Sequence, residues 1–238
     1  MDEFWFPTLL LMAHLLSGSV WILLISRKGN YGPARDQWIK YLVYLLIVNL
    51  IWWGLVLFAS GTLWVGVTLM VGALVEWALF FRHERTGWWP SLLFVLILAG
   101  FWGSLTLEKN LVLYTYFVVV IFDGTAQVFG QMFGKRPLVQ RISPRKTVEG
   151  LAGASVVTMA ATLLTSKALS IHWTQMIWIT PLVMGAALTG DLLASAMKRR
   201  MKRETFSHII PGHGGILDRF DSWLAAGAAV FLIFLLTG

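Results

Sequence analysis

The stretch from Leu42 to Ala59 reads L-V-Y-L-L-I-V-N-L-I-W-W-G-L-V-L-F-A and contains no charged residue. A helix needs about 20 mostly apolar residues to cross the hydrocarbon core of a bilayer. Segments of that kind recur along the chain, at about 4–26, 40–59, 62–81, 88–107, 111–131, 149–168, 173–197 and 218–237. Their unbroken apolar runs favour helices over barrel strands, in which apolar and polar residues alternate. The sequence therefore predicts an all-α, polytopic integral membrane protein with about eight transmembrane helices in a single transmembrane domain, residues 1–238.

The composition excludes several other classes of protein. Of the 238 residues, 57% are hydrophobic and only 13% are charged, whereas about a quarter are charged in an average soluble domain. Too little polar surface remains to cover a soluble globule, and too little of the chain is polar for intrinsic disorder. Because the chain has no cysteine, disulfides, thiolate catalysis and cysteine-ligated metals are also excluded.

The basic residues are distributed unevenly between the connections of the predicted helices. Of the 19 Lys and Arg residues, 17 lie in or beside the connections that follow the first, third, fifth and seventh segments, and only Lys109 and Lys167 lie elsewhere. By the positive-inside rule, these four connections lie in the cytoplasm and both termini lie outside. Membrane topology thus explains the net charge of +7, and we expect no nucleic-acid partner.

Two of the basic connections are longer than a turn between helices requires. Residues 134–149 and 198–221 together carry eleven of the cations and are rich in Gly, Pro and His. Clustered cations of this kind favour an anionic, phosphate-bearing ligand. The alternative is that each cation serves only membrane topology.

Acidic residues are few, and some of them lie where hydrocarbon is expected. Three are inside predicted spans and two begin the last span, namely Glu76, Asp123, Asp191, Asp218 and Asp221. An ionised carboxylate in a membrane costs several kcal/mol, so such residues tend to pair, bind ions or line a polar cavity. Helical spacing also places Ser195 on the face of Asp191. Carboxylates beside basic loops favour Mg²⁺, which prefers oxygen ligands and often binds with phosphates. The alternative is that these acids form ion pairs that fix helix packing.

The stretch from Ser195 to Asp221 reads S-A-M-K-R-R-M-K-R-E-T-F-S-H-I-I-P-G-H-G-G-I-L-D-R-F-D. It resembles the C-terminal motif of the phosphatidate cytidylyltransferases (CDP-diacylglycerol synthases) and agrees with fifteen of its seventeen constrained positions, without a gap. A second block, residues 122–153, resembles the same family in the runs F-G-Q-M-F-G-K and S-P-R-K-T-V-E-G. The resemblance covers the chain from about residue 70 onward. It implies N-terminal helices of weak resemblance over 1–70 and a cytidylyltransferase-like catalytic part over 71–238.

This resemblance implies an activity. Members of the family transfer CMP from CTP to phosphatidic acid and give CDP-diacylglycerol and pyrophosphate, a step of phospholipid biosynthesis. The implied cofactor is Mg²⁺, with a second cation allowed, and the implied partners are CTP, the lipid phosphate and membrane lipid. The implied location is the inner (cytoplasmic) membrane of a bacterium, with the active site facing the cytoplasm.

The resemblance also implies roles for particular residues. The metal ligands would be Asp191, Asp218 and Asp221, which would form the catalytic set with Lys198 and Arg219. The substrate-binding residues would be Ser143, Lys146, Thr147, Glu149, Asp123, Ser195, Arg199, His213, Gly214 and Gly215. The glycines could bring backbone N–H groups close to a phosphate, because they carry no Cβ.

One departure from the family motif leaves the substrate open. Glu204 and Thr205 stand where the motif has Lys-Asp, which removes a cation and adds an anion. The chain could be a normal synthase that tolerates the change, a paralogue that acts on another lipid phosphate, or an inactive relative. Two further alternatives are a CTP-dependent lipid or polyprenol kinase and a membrane transporter or structural protein with a relic motif. Separately, Gly130 and Gly134 form a Gly-x-x-x-Gly spacing, which permits close helix contact within the chain or in a homodimer.

Overall fold

The computed structural model describes residues 4–26, 34–81, 88–210 and 214–237. These residues form eight α-helices, namely α1 (Trp5–Ser26), α2 (Ala34–Leu57), α3 (Gly61–Phe81), α4 (Trp89–Ser104), α5 (Lys109–Phe133), α6 (Val148–Leu164), α7 (Trp173–Arg200) and α8 (Leu217–Thr237). Two short strands, β1 (Pro137–Val139) and β2 (Ser143–Thr147), lie between α5 and α6. Six of the helices, α1, α2, α3, α5, α7 and α8, are long and apolar enough to cross a membrane. The prediction of an all-α polytopic membrane protein is confirmed.

The other two helices, α4 and α6, are apolar but shorter. They have 16 and 17 residues, which correspond to roughly 24–26 Å of helix against about 30 Å of hydrocarbon. The predicted segments 88–107 and 149–168 run past the C-terminal ends of these helices, where turns follow. The hydropathy pattern did not mark these helix ends, because several residues of the turns are also apolar.

The basic connection between α5 and α6 folds as a β-hairpin, which the hydropathy pattern did not predict. Strands β1 and β2 pair antiparallel, with Pro137 opposite Thr147. Thr147 then caps α6, because its side-chain oxygen accepts a hydrogen bond from the Gly150 N–H at 3.1 Å. The backbone on both sides of Lys146 is therefore fixed, by the strand pairing and by the helix that follows.

Helix α5 is the centre of the bundle. Every residue from Val112 to Phe122 is buried. Helix α6 packs along α5 on one side, while α1, α2, α7 and α8 contact α5 elsewhere. Helix α8 packs closely against both α7 and α4. A polar side chain on α5 can therefore meet side chains from several helices at once.

Small residues let α5 and α6 approach closely. A Cβ on Gly130 would lie 3.2 Å from Oγ1 of Thr147 and 4.0 Å from the Cα of Gly150, and a Cβ on Gly134 would lie 2.7 Å from Cγ2 of Thr147. The Gly-x-x-x-Gly spacing therefore serves a contact within the chain. The homodimer, which the spacing also allowed, stays a prediction.

Helix ends that lead into three of the basic connections meet at one end of the bundle, which we call the basic end. Trp21, near the end of α1, donates a hydrogen bond from Nε1 to Oε1 of Gln131, near the end of α5, at 2.7 Å. Arg199, at the end of α7, donates from Nε to the carbonyl oxygen of Ile142 in the hairpin at 3.4 Å. The C-terminal ends of α1, α5 and α7 thus lie together with the hairpin.

The opposite end of the bundle carries the two isolated lysines. Lys109, at the start of α5, donates from Nζ to the carbonyl oxygens of Val56 at 3.0 Å and Phe58 at 3.3 Å. Lys167 lies in the turn that follows α6 and is exposed. Because α6 begins at the hairpin, this turn lies at the other end, as the distribution of charge predicts.

Single cysteines test this sidedness, because the chain has no native cysteine. Arg141→Cys in the hairpin and Lys167→Cys after α6 each place one thiol at an exposed position. In intact cells we expect a membrane-impermeant maleimide to label one of the two variants, and in permeabilised cells both. The mass of the purified protein reports the labelling. Equal labelling of both variants in intact cells would contradict the arrangement.

Candidate active site

An ion pair links the hairpin to α7. The Lys146 ammonium on β2 contacts Oδ2 of Asp191. One helical turn further along α7, Oγ of Ser195 donates to Oδ1 of the same carboxylate at 3.2 Å. The side chains of Lys146 and Asp191 are 25% and 27% exposed, so a ligand can reach the pair. Lys146 belongs to the block 122–153, and Ser195 is the first residue of the block 195–221. Asp191, which contacts both, therefore links the two sequence blocks that resemble the family.

A second, more deeply buried ion pair links α7 to α8. Nζ of Lys198 lies 2.6 Å from Oδ1 of Asp218, and these side chains are only 11% and 4% exposed. Oδ2 of Asp218 accepts backbone N–H bonds from Phe206 at 2.8 Å and from Gly215 at 2.9 Å. A buried ion pair is tolerated when its remaining lone pairs are hydrogen-bonded, as they are here. Asp218 therefore fixes both described parts of the connection 201–216, residues 201–210 and 214–216, against the start of α8.

A third carboxylate, that of Asp123 on α5, lies beside the first pair. The Ser222 hydroxyl of α8 lies close to it. The Asp123 carboxylate also lies within electrostatic range of the Asp191 carboxylate and the Lys146 ammonium. Asp123 thereby joins the central helix to the group formed by the hairpin and α7.

The fourth carboxylate, that of Asp221 on α8, completes the group. It accepts the Ser222 N–H at 2.8 Å and interacts electrostatically with Asp191, Asp123 and Lys198. Three carboxylates from α5, α7 and α8 therefore share one region with two lysines. Like charges at such range are unfavourable unless cations balance them, so this region favours the binding of further positive charge.

The predicted metal ligands differ in exposure and in the number of hydrogen-bond donors of the protein that each carboxylate already has. Asp218 has three such donors and its side chain is 4% exposed. Asp191 has one donor on each oxygen but is 27% exposed, and Asp221 accepts the Ser222 N–H. Within residues 4–26, 34–81, 88–210 and 214–237, no group of three or more His, Asp or Glu side chains is arranged to hold a metal ion by itself. Mg²⁺, however, is usually held by one or two carboxylates together with substrate phosphates and water. Asp191 and Asp221 fit that ligand chemistry, and Mg²⁺ stays a prediction.

Glu76 of α3, an acid predicted inside a span, has uncharged partners. Its side chain is buried, its Oε2 accepts the Leu217 N–H at 2.6 Å, and its Oε1 contacts the Ser207 hydroxyl. The backbone at Gly215 passes directly against the carboxylate, so a Cβ there would overlap with it. Glu76 therefore caps the start of α8 and holds the connection 201–216.

Two of the residues predicted to bind substrate stabilise the hairpin. Glu149 accepts the N–H groups of Lys135 at 3.0 Å and Arg136 at 3.1 Å, and it pairs with Nε of Arg136 at 2.9 Å. The backbone N–H of Lys135 and the Arg136 donors lower the pKa of the Glu149 carboxyl well below its usual range, so this carboxylate stays ionised. With Thr147, which caps α6, Glu149 shapes the strand that carries the site lysine.

Three more predicted residues lie around the ion pairs. Ser143 begins β2, and Arg199 reaches the same hairpin from α7. Arg219, exposed at the start of α8, lies within electrostatic range of Asp123. The hairpin side of the site thus combines a strand, the end of α7 and the start of α8.

The glycines of the C-terminal motif shape the loop around Asp218. Gly214 has a φ of +83°, a left-handed conformation that favours glycine, and a Cβ there would lie 2.7 Å from Oδ2 of Asp218. The N–H of Gly215, predicted to approach a phosphate, instead donates to Asp218. His213, also predicted to bind substrate, lies outside the described residues.

Three polar residues near Asp123, namely Ser222, His14 and Tyr44, were not predicted from the sequence. The position of Ser222 beside Asp221 could have indicated it. A Cβ on Gly124, the neighbour of Asp123, would overlap with Nε2 of His14 and lie 3.5 Å from the Tyr44 hydroxyl oxygen. The available signal was that both are polar residues in the middle of apolar segments.

The chain is similar to a known protein family over most of its length and to individual curated proteins over about half of it. The sequence profile of the cytidylyltransferase family matches residues 6–237. A phosphatidate cytidylyltransferase of Bacillus subtilis (strain 168) is 44% identical over 125 residues, which are 51% of this chain and 46% of that protein. Proteins of the same name from Staphylococcus epidermidis and Staphylococcus aureus are each 36% identical, over 116 and 120 residues, with 48% of this chain and 44% of each relative covered. The chain thus spans about half the length of the curated relatives it matches. No solved structure matches it.

Removing the Glu76 carboxylate should destabilise the connection 201–216. Glu76→Ala leaves the buried Leu217 N–H and the Ser207 hydroxyl without their acceptor, which we expect to cost about 2–4 kcal/mol. Thermal unfolding in detergent should show a lower Tm, and limited proteolysis should cut the connection sooner. Glu108→Ala is the matched control, because Glu108 is exposed and makes no side-chain cap bond at the start of α5. Equal Tm values for the two variants would contradict the role of Glu76.

Proposed function

This chain belongs to the cytidylyltransferase family, and on that premise we propose that it transfers CMP from CTP to phosphatidic acid. The products are CDP-diacylglycerol and pyrophosphate. The observation that most supports the proposal is the grouping of carboxylates and lysines at the basic end, namely Asp123, Asp191, Asp221, Lys146 and Lys198. Both sequence blocks that resemble the family contribute to this group.

The proposed reaction is a displacement at phosphorus. An oxygen of the lipid phosphate attacks the α-phosphorus of CTP and forms the new P–O bond. The bond between the α-phosphorus and the bridging oxygen to the β-phosphate breaks, and pyrophosphate leaves with that oxygen and its electron pair. A phosphate monoester is ionised at neutral pH, so no Ser or Cys nucleophile is required. The contribution of the protein is to position the reactants and to stabilise the developing charge.

The basic residues of the site would bind phosphate oxygens. Lys146 approaches from the hairpin and Lys198 from the end of α7. Asp218 positions Lys198 through their 2.6 Å contact, and Arg219 adds a third cation near Asp123. Because these cations come from separate elements, they can contact a triphosphate from more than one side.

Bound Mg²⁺ would supply positive charge to the triphosphate and to the departing pyrophosphate. Its proposed ligands are Asp191 and Asp221, with Asp218 as the third, whose Oδ1 is held by Lys198. Asp123 would add negative charge beside these ligands and so favour a divalent cation. Ser195, which donates to Asp191, would orient that carboxylate.

The basic end would face the cytoplasm. The positive-inside rule supports this orientation. This orientation would also let the site take its CTP from the cytoplasm. The curated relatives reported above are bacterial proteins, which supports the cytoplasmic membrane of a bacterium as the location.

Product analysis tests the proposed reaction. The purified protein is incubated in mixed micelles with CTP, Mg²⁺ and phosphatidic acid, and we expect CDP-diacylglycerol and pyrophosphate in equal amounts. Asp191→Asn and Lys146→Met should each lower kcat about 100-fold or more, since each removes a group that stabilises charge at the phosphates. The matched controls are Glu108→Gln and Lys167→Met, at the opposite end of the bundle, which should keep wild-type turnover.

Other outcomes of that assay are informative. Release of CDP together with a newly phosphorylated lipid would identify a kinase and overturn the proposal. No product above an Asp218→Ala background, with several lipid phosphates, would overturn any enzymatic role of the site. Near-normal turnover of Asp191→Asn would remove Asp191 from the catalytic set.

The departure at Glu204 and Thr205 can be tested by restoring the family residues. Glu204 is exposed and lies outside both ion pairs, and the Thr205 side chain packs beside Gly214. Because exposed charges are strongly screened, we expect Glu204→Lys combined with Thr205→Asp to change kcat/KM for phosphatidic acid less than about threefold. The measurement compares phosphatidic acid with other lipid phosphates. A switch of lipid preference would instead indicate a paralogue.

A further inference from the structure

A polar pair on the N-terminal helices adjoins the site. His14 of α1 and Tyr44 of α2 both reach α5 at Gly124, the residue after Asp123. Nε2 of His14 occupies the space that a Cβ at position 124 would fill, and the Tyr44 hydroxyl oxygen would lie 3.5 Å from such a Cβ. Glycine at 124 is therefore what allows His14 to lie against α5.

Neither polar group forms a hydrogen bond that ties these helices together. Within the described residues, no hydrogen bond joins the His14 ring or the Tyr44 hydroxyl to another side chain or to the backbone, and both side chains are partly exposed. The neighbouring Tyr41 differs, because its hydroxyl donates to the carbonyl oxygen of Leu15 and ties α2 to α1. Polar groups inside a membrane are costly and commonly mark a substrate path.

The position of the pair favours an anionic ligand. The Tyr44 hydroxyl lies within electrostatic range of both Asp123 and Arg219, so it belongs to the same electrostatic group as the site. The His14 ring and the Tyr44 hydroxyl can each donate a hydrogen bond. Together with the Arg219 guanidinium, they would provide two donors and a cation near one point, which suits a phosphate.

The positions of these residues along their helices indicate which of the two substrates, CTP or the lipid phosphate, the pair would bind. His14, Tyr44 and Asp123 lie roughly 15–18 Å along their helices from the basic end, whereas Lys146 and Lys198 lie towards the hairpin and the connection 201–216. In a displacement at phosphorus, the attacking and leaving oxygens are roughly in line. If pyrophosphate leaves towards the lysines, the nucleophile arrives from another side of Asp123. Helices α1 and α2, whose His14 and Tyr44 lie at the depth of Asp123, form such a side.

The outer surface of α1 and α2 is suited to acyl chains. Leu16 on α1 and Leu42 and Leu46 on α2 are each more than half exposed, as expected for residues that face lipid. A diacyl lipid could therefore keep its chains in the bilayer while its headgroup enters between these helices and α5. A water-soluble phosphate would gain nothing from this surface.

We propose that His14 and Tyr44 form the headgroup subsite for the lipid substrate and donate hydrogen bonds to its phosphate. This inference rests on the proposed function and assigns the N-terminal helices a part in substrate recognition. The chemical class of ligand is a phosphomonoester on a diacylglycerol, presented from the membrane.

Steady-state kinetics separate this role from a structural one. Tyr44→Phe and His14→Leu each remove a donor, and we expect KM for dihexanoyl phosphatidic acid to rise about tenfold while KM for CTP stays within twofold. His14→Gln, which keeps a donor near the position of Nε2, should retain most of the affinity for the lipid. Tyr41→Phe is the matched control on the same helix and should leave both KM values unchanged.

Ligand binding without turnover keeps this proposal separable from the proposed reaction. Dihexanoyl phosphatidic acid alone should raise the Tm of the wild-type protein in detergent, and Tyr44→Phe and His14→Leu should lose most of that rise. This result would support the subsite even if the protein made no CDP-lipid. Glycerol 3-phosphate, which lacks the acyl chains, should give no comparable rise.

Four results would overturn the subsite. The first is that Tyr44→Phe and His14→Leu leave the KM for the lipid and the Tm shift unchanged, and the second is that Tyr41→Phe loses as much affinity as they do. The third is that dihexanoyl phosphatidic acid does not raise the Tm of the wild-type protein. The fourth is that glycerol 3-phosphate raises that Tm as much as the lipid does. The last result would assign the pair to a water-soluble phosphate instead of a lipid.

Discussion

The arrangement of the basic end follows from one constraint, the free-energy cost of placing carboxylates among apolar helices. Each acid there is balanced by a partner that the fold delivers to it. Lys146 contacts Asp191 from a β-strand, and Lys198 lies 2.6 Å from Asp218 within one closely packed helix pair. Glu76 has no lysine and is balanced by a backbone N–H and a hydroxyl. The connections at this end are therefore long because they must bring donors to buried acids.

Some residues that stabilise the fold at the basic end also take part in the proposed reaction. Lys198 neutralises Asp218, and Asp218 in turn holds the backbone of the connection 201–216 through Phe206 and Gly215. A lysine that binds a phosphate in the proposed reaction thus also stabilises the loop around the site. Asp123, Asp191 and Asp221 are less completely balanced, since these three carboxylates and that of Asp218 share three cations, Lys146, Lys198 and Arg219. This imbalance is the physical reason that the region would take up a divalent cation with its nucleotide.

The site also has two sides with different surroundings. The hairpin and the ends of α7 and α8 bring cations, which suit a triphosphate and its leaving group. On the other side of Asp123, α1 and α2 bring uncharged donors and a lipid-facing apolar surface. A reaction between a soluble nucleotide and a membrane lipid requires both kinds of surface at one point. Helix α5 supplies that point because the hairpin, α1, α2, α7 and α8 all contact it.

The sequence by itself determined the membrane class, the apolar helices, the grouping of basic connections and the motif residues, because hydropathy, charge and motif spacing are local properties of the chain. It also placed Ser195 on the face of Asp191, since helical periodicity is local too. Only the tertiary structure decided the hairpin that carries Lys146, the uncharged partners of Glu76, and the meeting of His14 and Tyr44 at Gly124. Those contacts join residues that lie far apart in the sequence. They depend on how the helices pack, which no local pattern specifies.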